Sequence, residues 1–197
     1  MIKEILHPEI HYYKNVIKDP EAFVKELEEM DQYQSSVSQI SKWEKWTASN
    51  DDVEYGSLKK CFLNLFQNVT EADRSNSKIC SMIAHNVILI GEEYASYSNM
   101  DLGYLPVYFA INKYNVGVHM GAHVDAYDGA QDESTVSMVM YLNDNYEGGE
   151  IEFPNHGISV KPEAGSVIVF ASKGVLHDPK PTISGTKYMV PIFFFKR

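Results

Sequence analysis

Apolar positions recur at helical spacing through much of the first hundred residues and at strand spacing through the last ninety. Asp19-Pro20-Glu21 has the chemistry of a helix start, a capping carboxylate followed by proline at the first helical position, and Phe23, Val24, Leu27 and Met30 then form one apolar stripe. The polar stretch from Asp31 to Asn50 breaks that pattern, with Trp43 and Trp46 within it expected to pack on the domain. Leu58, Cys61, Phe62 and Leu65 suggest a second helix, and Ile79, Met82, Ile83, Val87, Ile90, Tyr94 and Tyr97 a third from about Ser75 to Tyr97. From Val107 the texture changes to short β-branched and aromatic runs punctuated by Gly, Pro, Asn and Asp. Strands are expected near 107–114, 118–126, 135–143, 149–154, 157–161, 166–171, 174–178 and 186–195, with a tight turn at Gly148-Gly149.

The predicted class is therefore α+β: a double-stranded β-helix, or jelly roll, of about eight strands, with N-terminal helices packed on one sheet. The whole chain, 1–197, reads as one domain, with residues 1–100 as a mainly helical scaffold and 107–195 as the jelly-roll core.

Composition narrows the function classes. With 27 acidic against 17 basic residues the formal net charge is −10, which disfavours a surface that tracks nucleic-acid phosphates. The longest apolar runs, such as Val190–Phe195, fall far short of the ~20 residues a bilayer span needs, and Met1–Ile5 lacks a secretory pattern, so a cytoplasmic location is expected. Cys61 and Cys80 then read as buried thiols rather than a disulfide. The sequence leaves the oligomeric state open.

The candidate chemistry starts at His123-Val124-Asp125. In a strand, residues two apart share a face, so His123 and Asp125 project into one space. His177 lies far downstream, and a fold that sets distant strands side by side is needed to deliver it. Two imidazoles and one carboxylate on one face suit Fe(II) and leave coordination positions open. Lys187 follows ten residues after His177; on a strand near-opposite it, the ammonium would make the pocket seek an anion.

The motifs around these residues carry a resemblance. Tyr114 with Gly117, then Tyr141-Leu142-Asn143-Asp144, Glu147-Gly148-Gly149-Glu150, Phe153-Pro154, Lys161-Pro162 with Gly165, His177-Asp178-Pro179 and Gly185-Thr186-Lys187 resemble successive motifs of the prolyl 4-hydroxylase-like Fe(II)/2-oxoglutarate dioxygenases. The resemblance spans about residues 107–195; the helical half matches only in general character. It implies His123, Asp125 and His177 as the metal ligands and catalytic centre, Lys187 as the partner of the distal carboxylate of 2-oxoglutarate, and Tyr141 and Tyr114 as further co-substrate contacts. It also implies Fe(II), 2-oxoglutarate and O2, with ascorbate as a reductant. The implied reaction is hydroxylation of a C–H bond coupled to release of succinate and CO2, and the carboxylate at 125 sets the chain apart from halogenating relatives.

A prolyl residue in a peptide or protein is the implied substrate, held in an aromatic groove of Tyr104, Tyr108, Tyr127 and Tyr188. Tyr188 stands where collagen-type relatives often have Trp, which argues against a collagen-like substrate. A free amino acid or other small molecule is the alternative substrate class, and a catalytically silent jelly-roll binding module the alternative role. The polar segment 126–134 reads as a loop able to close over the metal. His119 is expected to line the pocket or the surface, His7, His11, His85 and His156 to be structural or solvated, and Asp178 to orient His177 or cap a turn.

Overall fold

The computed structural model describes residues 1–30, 42–47, 54–62, 71–105, 108–126 and 134–196. An antiparallel hairpin, β1 (Ile2–His7) and β2 (Ile10–Lys14), opens the chain, followed by α1 (Pro20–Glu29). Next come β3 (Glu44–Thr47), β4 (Glu54–Phe62) and the long helix α2 (Glu71–Ser98). The rest is β5 (Tyr108–Tyr114), β6 (Ser134–Tyr141), β7 (Glu147–Gly148), β8 (Ile151–Phe153), a 3-10 turn (Pro154–His156), β9 (Ile158–Val160), β10 (Val167–Ala171), β11 (Asp178–Pro179), β12 (Thr182–Ser184) and β13 (Lys187–Phe195).

Eight strands form the major sheet in the order β1-β2-β10-β6-β13-β5-β4-β3; β11-β8-β9 and β12-β7 form smaller sheets over one of its faces. This is the expected jelly roll with helices on one side. The major sheet separates two cores. On the helical side, Phe23 and Leu27 of α1 and Ile83, Val87 and Ile90 of α2 pack against the strands. On the other side, Tyr12, Ile168 and Phe170 meet Ile151 and Phe153 of the small sheet. Each fully buried Phe or Ile contributes roughly 1.5–3 kcal/mol by removal from water.

The first helix starts as predicted: the Asp19 carboxylate accepts from the Ala22 backbone N–H at 3.0 Å and Pro20 occupies the first turn. In α2, Ile79, Ile83, Val87, Ile90 and Tyr94 are buried, whereas Tyr97 is half exposed and lies against the His11 ring.

Three expectations need correction. Leu58, Cys61 and Phe62 do not form a helix but lie on β4, where Cys61 pairs with Phe109 and Phe62 with Tyr108. Gly56 has φ 103°, a conformation that ends helical continuity, and the open edge of β5 supplies the ladder. Among the described residues the first hundred thus contribute four strands as well as two helices. Residues 118–126 form isolated bridges at His123 and Ala126 rather than a continuous ladder, consistent with the bend expected at Gly117 and Gly121. Lys187 is not near-opposite His177: the chain between them runs through β11, paired with β8, and β12, paired with β7, and Lys187 lies opposite Tyr114. Residues 63–65 of the expected helix, the side chains of Trp46 and Cys61, and 127–133 of the expected loop lie outside the described residues. Cys80 is buried and forms no disulfide among the described residues. Among the described residues no helix is long and apolar enough to cross a membrane.

Candidate active site

The bridge between the short segments around His123 and His177 delivers the distant imidazole. The His123 N–H donates to the His177 carbonyl at 2.9 Å and the His177 N–H to the His123 carbonyl at 3.0 Å. Asp125, two residues on, points to the same space: its Oδ1 lies 3.4 Å from His123 Nε2 and 3.8 Å from His177 Nε2. One ligand atom from each of the three lies within 4.8 Å of the others, close enough for a single metal ion. Each ring also turns its Nδ1 toward a carbonyl two residues upstream, His123 to Gly121 at 2.8 Å and His177 to Val175 at 3.2 Å. A proton on Nδ1 satisfies those carbonyls and leaves Nε2 bare, the arrangement in which imidazole ligates a metal. Phe170 and Phe153 flank the His177 ring and fix its plane.

Electrostatics follow from this packing. Burial pushes the Asp125 carboxyl up, but the hydrogen bond with His123 and the proximity of His177 outweigh it and hold the carboxyl below its ordinary value. The Asp125 hydrogen bond raises His123, while burial lowers His177. His177 is thus held neutral beside an ionised carboxylate, while a bound cation would take the place of the proton that Asp125 favours on His123 Nε2.

Lys187 enters from β13 and is only 3% exposed. Its ammonium donates to the Gly149 carbonyl at 2.8 Å and lies 5.4 Å from the centre of the Tyr141 ring. Among the described residues it pairs with no carboxylate within salt-bridge distance; burial, aided by the nearby Lys161 charge, lowers it to about 8. Gly149 makes this approach possible. It has φ 67°, and a Cβ there would stand 2.8 Å from the Tyr146 ring and 3.2 Å from Lys187 Cδ.

The triad, Lys187, Tyr141 and Tyr114 all line one cavity of about 420 Å³. Tyr141 is fully buried and pushed well above its ordinary value by burial; Tyr114, raised by burial to about 12, accepts a hydrogen bond from Asn112 at 3.2 Å. Opposite these polar groups the wall is apolar, with Leu58, Met120, Val124, Pro191 and Phe193.

Other expected residues fall elsewhere. Tyr188 does not line the groove: Lys187 faces the cavity, so its neighbour faces the helices, where the hydroxyl donates to Glu28 at 2.8 Å and the ring meets Trp43. Tyr104 bridges Phe195 at the end of β13, while Tyr127 and the side chain of Tyr108 lie outside the described residues. His119 is exposed. Asp178 pairs with Lys180 at 2.6 Å rather than with the His177 ring. Sequence reasoning missed Thr182, whose buried hydroxyl has no partner among the described residues and which shares a small recess with Lys187 and Tyr114. Nothing in its sequence neighbourhood signals this, because β12 reaches the site through its pairing with β7.

Residues 109–195 match the model of the 2OG-Fe(II) oxygenase superfamily. The family expected from the motifs is the one whose model matches, and the matched span contains the triad, Lys187 and both tyrosines. The solved structures agree in fold. A viral collagen prolyl hydroxylase from Paramecium Bursaria Chlorella virus-1, solved with 2OG, superposes with TM-score 0.65 at 14% identity, covering 96% of this chain and 97% of that one. A Pseudomonas putida prolyl-4-hydroxylase gives 0.60 at 17% identity, over 96% and 93% of the two chains. A Trichoplax adhaerens prolyl hydroxylase in complex with a hypoxia inducible factor peptide fragment gives 0.66 at 14% identity, over 96% and 84%. No curated protein matches the chain in sequence. At these identities the structural likeness establishes the double-stranded β-helix fold of 2OG oxygenases.

Proposed function

We propose that this chain is an Fe(II)/2-oxoglutarate-dependent dioxygenase that hydroxylates a prolyl residue in a peptide or protein. The observation that carries this reading is the meeting, in one cavity, of the His123, Asp125 and His177 donors with a buried lysine that has no carboxylate partner among the described residues. The donor set fits Fe(II): two imidazoles and a carboxylate beside the cavity, the imidazoles held by their own backbone contacts, would hold the ion.

His123, Asp125 and His177 would hold the iron. Lys187 would bind the distal carboxylate of 2-oxoglutarate, with Tyr141, Tyr114 and the unpartnered Thr182 hydroxyl as further donors around it. Once bound, iron and 2-oxoglutarate supply the oxidation of a C–H bond by dioxygen, the 2-oxo acid leaving as succinate and CO2. The residues of the chain do the rest. The Nδ1 contacts to Gly121 and Val175 keep the imidazole planes fixed. The apolar wall excludes water and positions the carbon to be oxidised.

That wall also favours the prolyl reading over a free amino acid. Among the described lining residues, histidines aside, Asp125 and Lys187 are the only charged side chains, and both are committed to metal and co-substrate. Among the described residues of the lining no group remains to pair with a free ammonium and a free carboxylate, whereas a pyrrolidine ring within a peptide needs neither. The peptide held by the Trichoplax adhaerens structural neighbour supports the same substrate class. A silent binding module would have no use for a buried ammonium beside an intact donor set.

The test is anaerobic addition of Fe(II) and 2-oxoglutarate to the native chain and to His177→Ala. The native chain is expected to develop the visible metal-to-ligand charge-transfer band of a chelated 2-oxo acid, and the variant to lack it. Succinate release under air, with ascorbate keeping iron reduced, is then expected to rise with proline-containing peptides; no band in the native chain would favour the silent module.

A further inference from the structure

His7, Glu9 and His156 form a second cluster with the same donor set as the proposed iron site. The Glu9 Oε2 lies 3.2 Å from His156 Nε2 and 3.7 Å from His7 Nδ1, and the three residues offer ligand atoms within 4.8 Å of one another. The corresponding carboxylate-to-imidazole distances in the triad are 3.4 and 3.8 Å. The two imidazoles stand 4.4 Å apart here and 4.3 Å apart there. Ligands at ~2.0–2.1 Å from a tetrahedral metal are about 3.3 Å from each other, so small side-chain adjustments suffice.

The backbone presets this cluster. β1 and β2 turn through Pro8-Glu9, with His7 and Ile10 paired across the turn, which brings His7 and Glu9 together. Pro154 starts the 3-10 turn and Gly157, at φ 64°, ends it, so that His156 faces the same point from the small sheet. The Glu9 N–H donates to His7 Nδ1 at 3.2 Å, a bond whose place at that lone pair the metal takes when it binds. The His156 side chain is 11% exposed, and its Nδ1 is buried without a partner, so the ring's polar contact among the described residues is through the Nε2 turned to Glu9.

We propose that His7, Glu9 and His156 bind a divalent transition metal of the zinc class, with water completing the coordination. None of the three lines the active-site cavity, so the ion takes no part in that site's chemistry. It ties the β1–β2 turn of the major sheet to the β8–β9 connection of the small one. Phe153, immediately before that connection, is the residue that packs on Phe170 beside the His177 ring, so the tether also braces the wall of the active site.

The test uses the full chain stripped with chelator and titrated with Zn(II) alone, read by calorimetry and elemental analysis. The native chain is expected to take two equivalents. The double variant His123→Ala/His177→Ala should keep one, and adding His156→Ala should remove it. In the double variant, Zn(II) at a hundred times its Kd should raise Tm by about 5–10 °C, and Glu9→Gln, on an exposed turn, should abolish most of that rise. The proposal is overturned if the double variant takes up no Zn(II) at micromolar metal, or if its remaining equivalent survives both His156→Ala and Glu9→Gln. If the double variant does not fold, the native stoichiometry decides: Glu9→Gln should lower two equivalents to one. A failed triad instead removes the other equivalent, the one insensitive to His156 and Glu9.

Discussion

His123 and His177 are backbone partners across an antiparallel bridge, each donating its N–H to the other's carbonyl, and each turns its Nδ1 to a carbonyl two residues upstream. The two rings are therefore held from the main chain in the same way, and their Nε2 atoms face Asp125 with little freedom to diverge. Removing either ring deletes a donor and leaves the other in place. His123→Ala and His177→Ala are expected to weaken Fe(II) binding by more than the ~10–100-fold that loss of an outer-shell partner costs. Metal titration followed by succinate release checks this, with circular dichroism confirming the fold.

Lys187 should show its role in opposite directions with and without co-substrate. Lys187→Met is expected to raise the KM for 2-oxoglutarate by about 30-fold or more, the low end of what truncating one partner of a buried charge pair costs. Without 2-oxoglutarate the same variant should be more stable by about 1–3 kcal/mol, because a buried ammonium lacking a carboxylate partner is replaced by an apolar side chain. Chemical denaturation with and without 2-oxoglutarate measures both signs.

The pH dependence of co-substrate binding follows from the same lysine. Burial, and then the Lys161 charge, lower Lys187 from 10.5 to about 8. Below pH 8 it is charged and affinity for the dianion should be flat; above pH 8 binding must recover a proton, and affinity should fall about tenfold per unit. For the unliganded fold the sign reverses. The folded value lies below the unfolded one, so the Lys187 penalty is complete below pH 8 and disappears as pH rises toward 10.5. Lys187→Met should flatten both profiles.

Gly149→Ala probes the cradle of that ammonium. The new Cβ would meet the Tyr146 ring at 2.8 Å, on a backbone at φ 67°. A loss of about 1–3 kcal/mol is expected. The KM for 2-oxoglutarate should rise with it, since the Gly149 carbonyl holds Lys187 Nζ; thermal melting and co-substrate titration read the two effects.

The apolar wall should govern peptide and leave co-substrate alone. Phe193→Ala removes a large hydrophobic contact, for which a rise in peptide KM of about 10-fold or more is expected from ~1.5–3 kcal/mol of burial. The visible band formed with Fe(II) and 2-oxoglutarate should be unchanged, which separates substrate binding from assembly of the metal site.

How much of this was legible in the sequence depends on how local each determinant is. Asp19-Pro20 fixes the start of α1 because capping involves neighbouring residues, and His123 and Asp125, two apart, do share one space, although isolated bridges rather than the expected strand hold them there. The motif order from Tyr114 to Lys187 carried the jelly-roll class and the candidate ligands. The helix expected around Leu58 failed, since a short apolar run suits strand or helix equally and only the open edge of β5, with Gly56 at φ 103°, decides between them. Tertiary structure alone delivered His177 to His123, placed Lys187 opposite Tyr114, turned Tyr188 to the helices, brought Thr182 to the recess beside Lys187 and joined His7 and Glu9 to His156. The reason is the same in each case. Local spacing sets which face a side chain occupies, whereas pairing between residues far apart in the chain sets what that face meets.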